Sequence, residues 1–400
     1  MAYNMSRSDL ATSNVISVCL FFTFGMNLRR WDEAGILDRE VCFYKKLVEH
    51  GVDVTFFTYG DESERGYADR LPGIKIIPAW SKGPTPKGRL ATLAASLAIP
   101  WIWKHELAQH QILKTNQMWG AWIPLLAQYL TSRPVLLRCG YEAYKNVTKG
   151  QAPALMRFAT YWLSRWAYGS ADKVAFTYHG AANFASTIFG PSRDKVVIQP
   201  NYVDIERFSP CSQDMRHPER ALFVGRVEKE KNLSCLIKAM SKIGLGLDIV
   251  GAGSLVAPLK ALAKSLGVDV RFLGIVPYGE LSKIMVQYPV LVLPSCYENH
   301  PKVLLEAMSC GMAVVGTDVD GIREMIDNGE NGLLCEPSAE NLANCIERIM
   351  QDKKLRERLG SAARSFVVKN FSLHSIVKKE IEIYRQILGK KKQCLHLYLS

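Results

Sequence analysis

The sequence contains no C-x-x-C pair. Its ten cysteines are scattered from Cys19 to Cys394, so neither zinc-ribbon spacing nor a disulfide framework is present, and reduced thiols in a cytosol are expected. No two of the eight histidines stand at the H-x-x-x-H spacing of a helical metal site. No apolar run approaches the roughly 20 residues that a membrane-spanning helix requires. Val15 to Phe22 is strand-length and has no basic segment or small-residue cleavage site attached, and the apolar stretch within 90–103 is far too short. No period of 20 to 50 residues recurs, which excludes solenoids and propellers. Acidic residues are scarce in one region: residues 82–195 hold fourteen Lys or Arg against four Asp or Glu, an excess of +10 in a chain of net charge +12. Such a patch suits nucleic acid, an anionic membrane or a phosphorylated substrate, and equally suits solvent alone.

What is present is globular. Hydrophobic residues make up 48% of 400 and charged residues 22%, enough for about two to three domains, which excludes a disordered, collagen-like or coiled-coil chain. Strands are predicted at Val15–Phe22, Val52–Thr58, Ile74–Ile77, Ile112–Lys114, Val135–Arg138, Lys173–Thr177 and Val196–Gln199. A second series follows at Ala221–Val224, Leu247–Val250, Val270–Leu273, Val290–Leu293, Ala313–Gly316 and Gly332–Leu334. Helical patterns intervene at Asp38–His50, Leu233–Met240, Ala257–Leu266 and Lys302–Cys310. That alternation predicts α/β domains with parallel sheets. The proline-rimmed PNYVDIERFSP (Pro200–Pro210) and the polar run after it are expected to be a hinge between two halves, 1–200 and 201–372. A last helix is expected over 373–388, stopped by Gly389, with 389–400 a basic tail.

The densest chemistry lies in Ser295-Cys-Tyr-Glu-Asn-His-Pro-Lys-Val-Leu-Leu-Glu306, which leaves a strand and enters a helix. Pro301 suits the first helical position and Gly311 the residue past the end. Glu298 then falls in the loop at the strand's carboxyl edge and Glu306 inside the helix, near the crevice where open α/β sheets bind ligands. The helix start favours an anion, and Lys302 stands in its first turn. His300 lies in the same loop. After the strand ALFV, Arg226 and Lys231 are placed to converge on a diphosphate, although a solvated basic turn explains them too. Gly251-Ala-Gly253 follows a strand, but Val256 stands where a dinucleotide fingerprint has its third glycine. Asp318-Val-Asp320 has the form of a metal-holding D-x-D pair; a turn closed by Gly321 accounts for it as well, and no metal is expected.

Taken together, PNYVDIERFSP, FVGRVEKEKNL, IVGAGSL, FLGIVPYGEL, VLPSCYENHPKVLLEAMSCG and NGENGLLCEP resemble, in order, the retaining nucleotide-sugar-dependent glycosyltransferases of family 4. That resemblance implies the GT-B architecture, two facing Rossmann-like domains with an interdomain cleft, and a terminal helix that returns to the first domain. It implies that Glu298 and Glu306 are the E-x7-E acids, addressing the donor sugar and the ribose hydroxyls. Arg226 and Lys231 would hold the diphosphate and stabilise the departing nucleotide. Gly274 to Pro277, with Val276, would meet the base, and Asn299, His300, Pro301 and Lys302 would line the donor site. Gly25 would let an N-terminal loop approach the phosphates.

On the acceptor side the resemblance points to Arg138, Tyr141 and Glu142. Where many relatives have a histidine, this chain has Cys139-Gly140, and Asn299 replaces a frequent glycine. The implied partners are a UDP- or GDP-hexose and a carbohydrate or lipid-linked acceptor, with no cofactor. The implied setting is cell-surface polysaccharide or glycolipid synthesis, in the cytoplasm or on the inner face of an anionic membrane. A catalytically inactive transferase-like binding protein is the alternative. An NAD-dependent oxidoreductase lacks its G-x-G-x-x-G, and nucleic-acid binding lacks any recognised motif.

Overall fold

The computed structural model describes residues 15–149, 152–210 and 217–399, with side chains as far as Gly389. Its two sheets are entirely parallel, as strands that are apolar on both faces require. The first contains β1 (Ser17–Phe21), β2 (Asp53–Thr58), β3 (Ile74–Pro78), β4 (Ile112–Thr115), β5 (Val135–Cys139), β6 (Lys173–Phe176) and β7 (Val196–Ile198). Their order in space is β3-β2-β1-β4-β5-β6-β7. The second contains β8 (Arg220–Val224), β9 (Gly246–Val250), β10 (Val270–Gly274), β11 (Val290–Leu293), β12 (Ala313–Thr317) and β13 (Leu333–Cys335), ordered β10-β9-β8-β11-β12-β13. In each sheet the order reverses beside the first strand, β1 or β8, so the crossover loops diverge there and leave the crevice at which such sheets take ligands.

The chain divides into two compact units: Pro200–Ile376, and the chain up to Gln199 joined by the segment from Val377. Pro200–Pro210 is no free linker. Val203 bridges to Ser372, the Val203 amide donates to the Phe371 carbonyl at 3.0 Å, and the Arg364 guanidinium donates to the Ile205 and Phe208 carbonyls. The junction thus opens as a strap fixed on the second unit by backbone and guanidinium hydrogen bonds, and most of the polar run after it, residues 211–216, lies outside the described residues.

The terminal helix runs Leu373–Leu399, straight through Gly389, where a stop was expected. A helical glycine costs only about 1 kcal/mol relative to alanine, and the three lysines after it are good helix formers. Ile376, Val377, Ile381, Tyr384 and Ile387 are buried along this helix. Among them lies Glu380, whose carboxylate meets the ammonium of Lys114 from β4 at 2.5 Å with both side chains 1% exposed. The Lys114 ammonium also lies 5.2 Å from the ring centres of Phe43 and Tyr44. Burial lowers the Lys114 pKa from its ordinary value while the Glu380 charge opposes that shift.

Among the described residues no helix is long and apolar enough to cross a membrane, and the eight described cysteines are all free.

Cutting one partner of a buried pair strands the other charge, which costs about 3–5 kcal/mol. Glu380→Ala is expected to lower the unfolding free energy of the first unit by that amount in urea titration. The double replacement Lys114→Met with Glu380→Leu is expected to recover most of the loss, and a loss under about 1 kcal/mol for Glu380→Ala would refute this role.

Candidate functional site

The loops that leave the carboxyl ends of β8, β9, β10, β11 and β12 are tied to one another through backbone. Val227 N donates to Ala252 O at 2.9 Å, Gly251 N to Gly274 O at 2.7 Å, and Cys296 N to Glu230 O at 2.9 Å. Such contacts need bare backbone. A Cβ on Gly251, at φ +136°, would stand 1.9 Å from the Gly225 carbonyl oxygen. One on Gly321 would stand 1.9 Å from the Asn299 carbonyl oxygen, so the loop after β12 backs directly onto the Glu298–Asn299 turn. The glycines of Gly251-Ala-Gly253 thus serve loop packing, and the fingerprint reading is not needed to explain them. Glu228 reinforces the arrangement by accepting from the Ser254 amide and hydroxyl at 2.9 and 2.6 Å, which holds its pKa below the ordinary carboxylate value.

On this frame the structure joins Lys231 and Glu298, which the family resemblance assigned separately to the diphosphate and to the donor sugar, in an ion pair. Their side chains are 14% and 11% exposed, and Ser295 Oγ donates to the same carboxylate oxygen of Glu298 at 2.8 Å. Arg226 pairs with Glu230 at 2.7 Å and is 74% exposed. Ser295 and Glu230 were not singled out from the sequence, although the alternating Glu-Lys-Glu-Lys run at 228–231 carried a signal for the second. Arg226 and Lys231 thus each have an acid beside them.

The helix Lys302–Ser309 begins beside them, with Pro301 as N-cap, one position earlier than expected, and Gly311 past its end at φ +73°. Glu306 lies one turn inside and is buried. Lys302 Nζ stands 5.3 Å from the Tyr202 ring centre. His300 is buried, its ring 5.4 Å from that of Phe371, and its carbonyl accepts from Asn201 Nδ2 at 2.7 Å. Its ring is thus packed on Phe371 at the end of the loop that also carries Glu298. Gly274, at φ +71°, and the half-buried Val276 form the neighbouring rim after β10. Asp318 is paired with Arg323 at 2.5 Å, and Asp320 opens the four-residue helix Asp320–Arg323. No group of three or more His, Cys, Asp or Glu among the described residues is arranged to hold a metal ion.

In the first unit, Gly25 adopts φ +76° and its carbonyl accepts from Arg30 Nη1. Asn27 caps the helix Leu28–Glu33 by accepting from the Arg30 amide, and Glu64 accepts from the Leu28 amide at 2.7 Å. Arg138 and Tyr141 are half-buried at the end of β5. Glu142, expected to face an acceptor, is corrected to a structural acid. It has no exposed surface, accepts from Tyr168 Oη at 2.9 Å and from the Lys145 amide at 2.5 Å, and burial raises its pKa. A carboxyl that satisfies a helix start and a buried phenol has no lone pair directed at solvent. Cys139 is fully buried with its Sγ 3.8 Å from Tyr168 Oη, and burial pushes its thiol pKa upward, away from nucleophilic reactivity. Gln117, which the sequence did not mark, accepts from the Gly140 amide at 2.9 Å.

Comparison with known proteins matches both units. The family model for Glycosyltransferase Family 4 matches residues 43–207, and that for Glycosyl transferases group 1 matches residues 212–366. An uncharacterized glycosyltransferase of Methanocaldococcus jannaschii is 35% identical over 171 residues, 41% of this chain and 44% of that protein. The chain spans about half the length of the curated relatives it matches first. Among solved structures, sucrose-phosphate synthase from Thermosynechococcus elongatus aligns over 94% of this chain and 100% of its own with a TM-score of 0.77 at 20% identity. HepE of Anabaena, solved in complex with UDP, aligns over 93% of this chain and 100% of its own with a TM-score of 0.74 at 16% identity.

The contact at Gly251 yields a paired expectation. Gly251→Ala forces a methyl group into the Gly225 carbonyl at a strained φ and is expected to cost about 3 kcal/mol or more, read by thermal or urea unfolding. Gly279→Ala, where a Cβ meets nothing within 4 Å, is expected to stay within about 1 kcal/mol of the parent. Equal effects of the two would contradict the close packing of these loops.

Proposed function

The chain belongs to the group 1, family 4 glycosyltransferases of GT-B architecture, and from that premise we propose that it moves a sugar from a nucleotide-sugar donor to a carbohydrate or lipid-linked acceptor, with retention of configuration. The observation that carries this reading is the meeting of Lys231, Glu298 and Ser295 beside Arg226, at the edge where the helix bearing Glu306 begins.

Each residue type there suits one part of such a donor. A diphosphate offers four oxygens for charge-assisted hydrogen bonds; Lys231 supplies a point charge and Arg226 a planar fork. Both carry an acid partner that an incoming phosphate replaces, Glu298 for Lys231 and Glu230 for Arg226. As the glycosidic bond to phosphate breaks, negative charge grows on the leaving oxygen, and cations already in place stabilise it without reorganisation. Glu298, released from Lys231, accepts from sugar hydroxyls, and Glu306 accepts from the ribose hydroxyls. HepE, of the same fold, was solved with UDP and with UDP and glucose, which supports a nucleotide-sugar donor.

Two cations and the start of the helix at Lys302 neutralise a diphosphate between them, so the proposed reaction takes no divalent metal. Neither Glu298 nor Glu306 is given the role of covalent nucleophile, so a same-face displacement is the route. Synthesis of a cell-surface polysaccharide or glycolipid, on the cytoplasmic side, is the setting this reaction suits.

With an α-linked donor and excess EDTA, NMR of the first product is expected to show an α linkage formed at an undiminished rate. A β linkage would refute retention, and loss of activity restored by manganese would refute metal independence. Donor binding with no product from any acceptor would leave a transferase-like binding protein.

A further inference from the structure

The first unit holds two helices with more apolar surface than its core covers. In Arg89–Ile102, Ser96, Ile99 and Pro100 are buried, and Trp122 Nε1 donates to Ser96 Oγ at 2.9 Å, fixing that side against the helix Trp122–Thr131. At about 100° per residue, Leu90, Leu93, Leu97 and Trp101 fall together in a stripe beside that buried side. All four are exposed, Trp101 at 58%. Trp103 turns inward and donates its Nε1 to the Ala79 carbonyl at 3.2 Å. Ile99 and Trp103 therefore belong to the core, while the stripe Leu90, Leu93, Leu97 and Trp101 is exposed.

The helix Ala154–Ser170 repeats this design. It buries Thr160, Ser164, Ala167 and Tyr168, while Leu155, Phe158 and Trp162 share one exposed stripe, Phe158 at 63%. Both helices pack against Trp122–Thr131, whose Tyr129 is itself exposed.

The charges around these stripes have one sign. Residues 71–105 contain five Lys or Arg and no acid, and residues 143–171 contain four and no acid. Lys75 and Lys82 are ion-paired with Asp53 and Glu106. Lys87, Arg89, Lys104, Arg157 and Arg165 have no ion pair among the described residues. Helices that carry exposed leucine, phenylalanine and tryptophan stripes, with unpaired cations on or next to them, match the water–lipid boundary, with apolar groups entering the acyl region and cations meeting anionic headgroups. A second copy of this chain would bring the same positive patch against itself, within a net charge of +12, so self-association is opposed. We propose that the first unit docks on an anionic lipid surface through the helices Arg89–Ile102 and Ala154–Ser170, independently of the transfer reaction.

The test floats the full chain with vesicles of phosphatidylcholine alone and of phosphatidylcholine mixed with phosphatidylglycerol. The chain is expected to rise with the mixed vesicles at low salt, to stay behind with the neutral ones, and to be released near 0.5 M salt, where the Debye length is about 4 Å. Two double variants, Leu97→Ser with Trp101→Ser and Arg157→Glu with Arg165→Glu, alter only exposed side chains. Each is expected to weaken binding by roughly tenfold or more at unchanged thermal stability. No flotation, equal flotation with neutral vesicles, or variants that bind like the parent would overturn the proposal. A concentration-dependent dimer in sedimentation that Leu97→Ser with Trp101→Ser abolishes would assign the face to a second copy and also overturn it.

Discussion

Lys231 and Glu298 lie 67 residues apart in the chain, and their ion pair sets how the loops after β8 and β11 stand to each other. At 14% and 11% exposure the two charges have lost most of their water, so each depends on the other and on Ser295. Arg226 differs. Largely exposed and held by Glu230 alone, it contributes little to stability, and its fork can turn toward an arriving anion at small cost. The edge thus combines one cation paired in a largely buried setting with one paired at the surface, and the proposed reaction would use both on a diphosphate.

Around that pair the backbone carries the precision. The Gly251–Gly225 and Gly321–Asn299 approaches are too close for any side chain, so Glu298 is positioned by neighbouring main chain as well as by its own partners. The strap 201–210, pinned by Arg364 and by Asn201 on the His300 carbonyl, closes the other side of the same loop. The loops that carry these side chains are thus held to one another by main chain as well as by the ion pair.

Much of this was legible in the sequence because parallel strands, buried on both faces, leave continuous apolar runs: β11 as VLVL and β12 beginning AVV are unmistakable between polar loops. The spacing of Glu298 and Glu306 across a Pro-headed helix was legible for the same reason, since caps and periods are local. Side-chain destinations were not. Glu142 reads as a loop acid, and only the fold brings Tyr168 to it. Lys114 reads as a strand-end cation, and only the returning helix supplies Glu380. Gly389 reads as a stop because local propensity favours one, and the fold overrides it for about 1 kcal/mol. His300 sits amid site residues in sequence yet turns its ring to Phe371, a choice set by the strap and the chain leading into the last helix.

The central claim is that the edge of the second sheet binds a nucleotide sugar, and direct ligand titration by thermal shift and calorimetry tests it. Among UDP-, GDP- and ADP-sugars, one nucleotide class is expected to stabilise the protein, by about 2.7 kcal/mol at 100 times its dissociation constant. Glu306→Ala is expected to weaken that binding by roughly ten- to a hundredfold, the worth of a charge-assisted hydrogen bond. Absence of stabilisation by every donor, or a Glu306→Ala variant that binds as the parent does, would contradict the account.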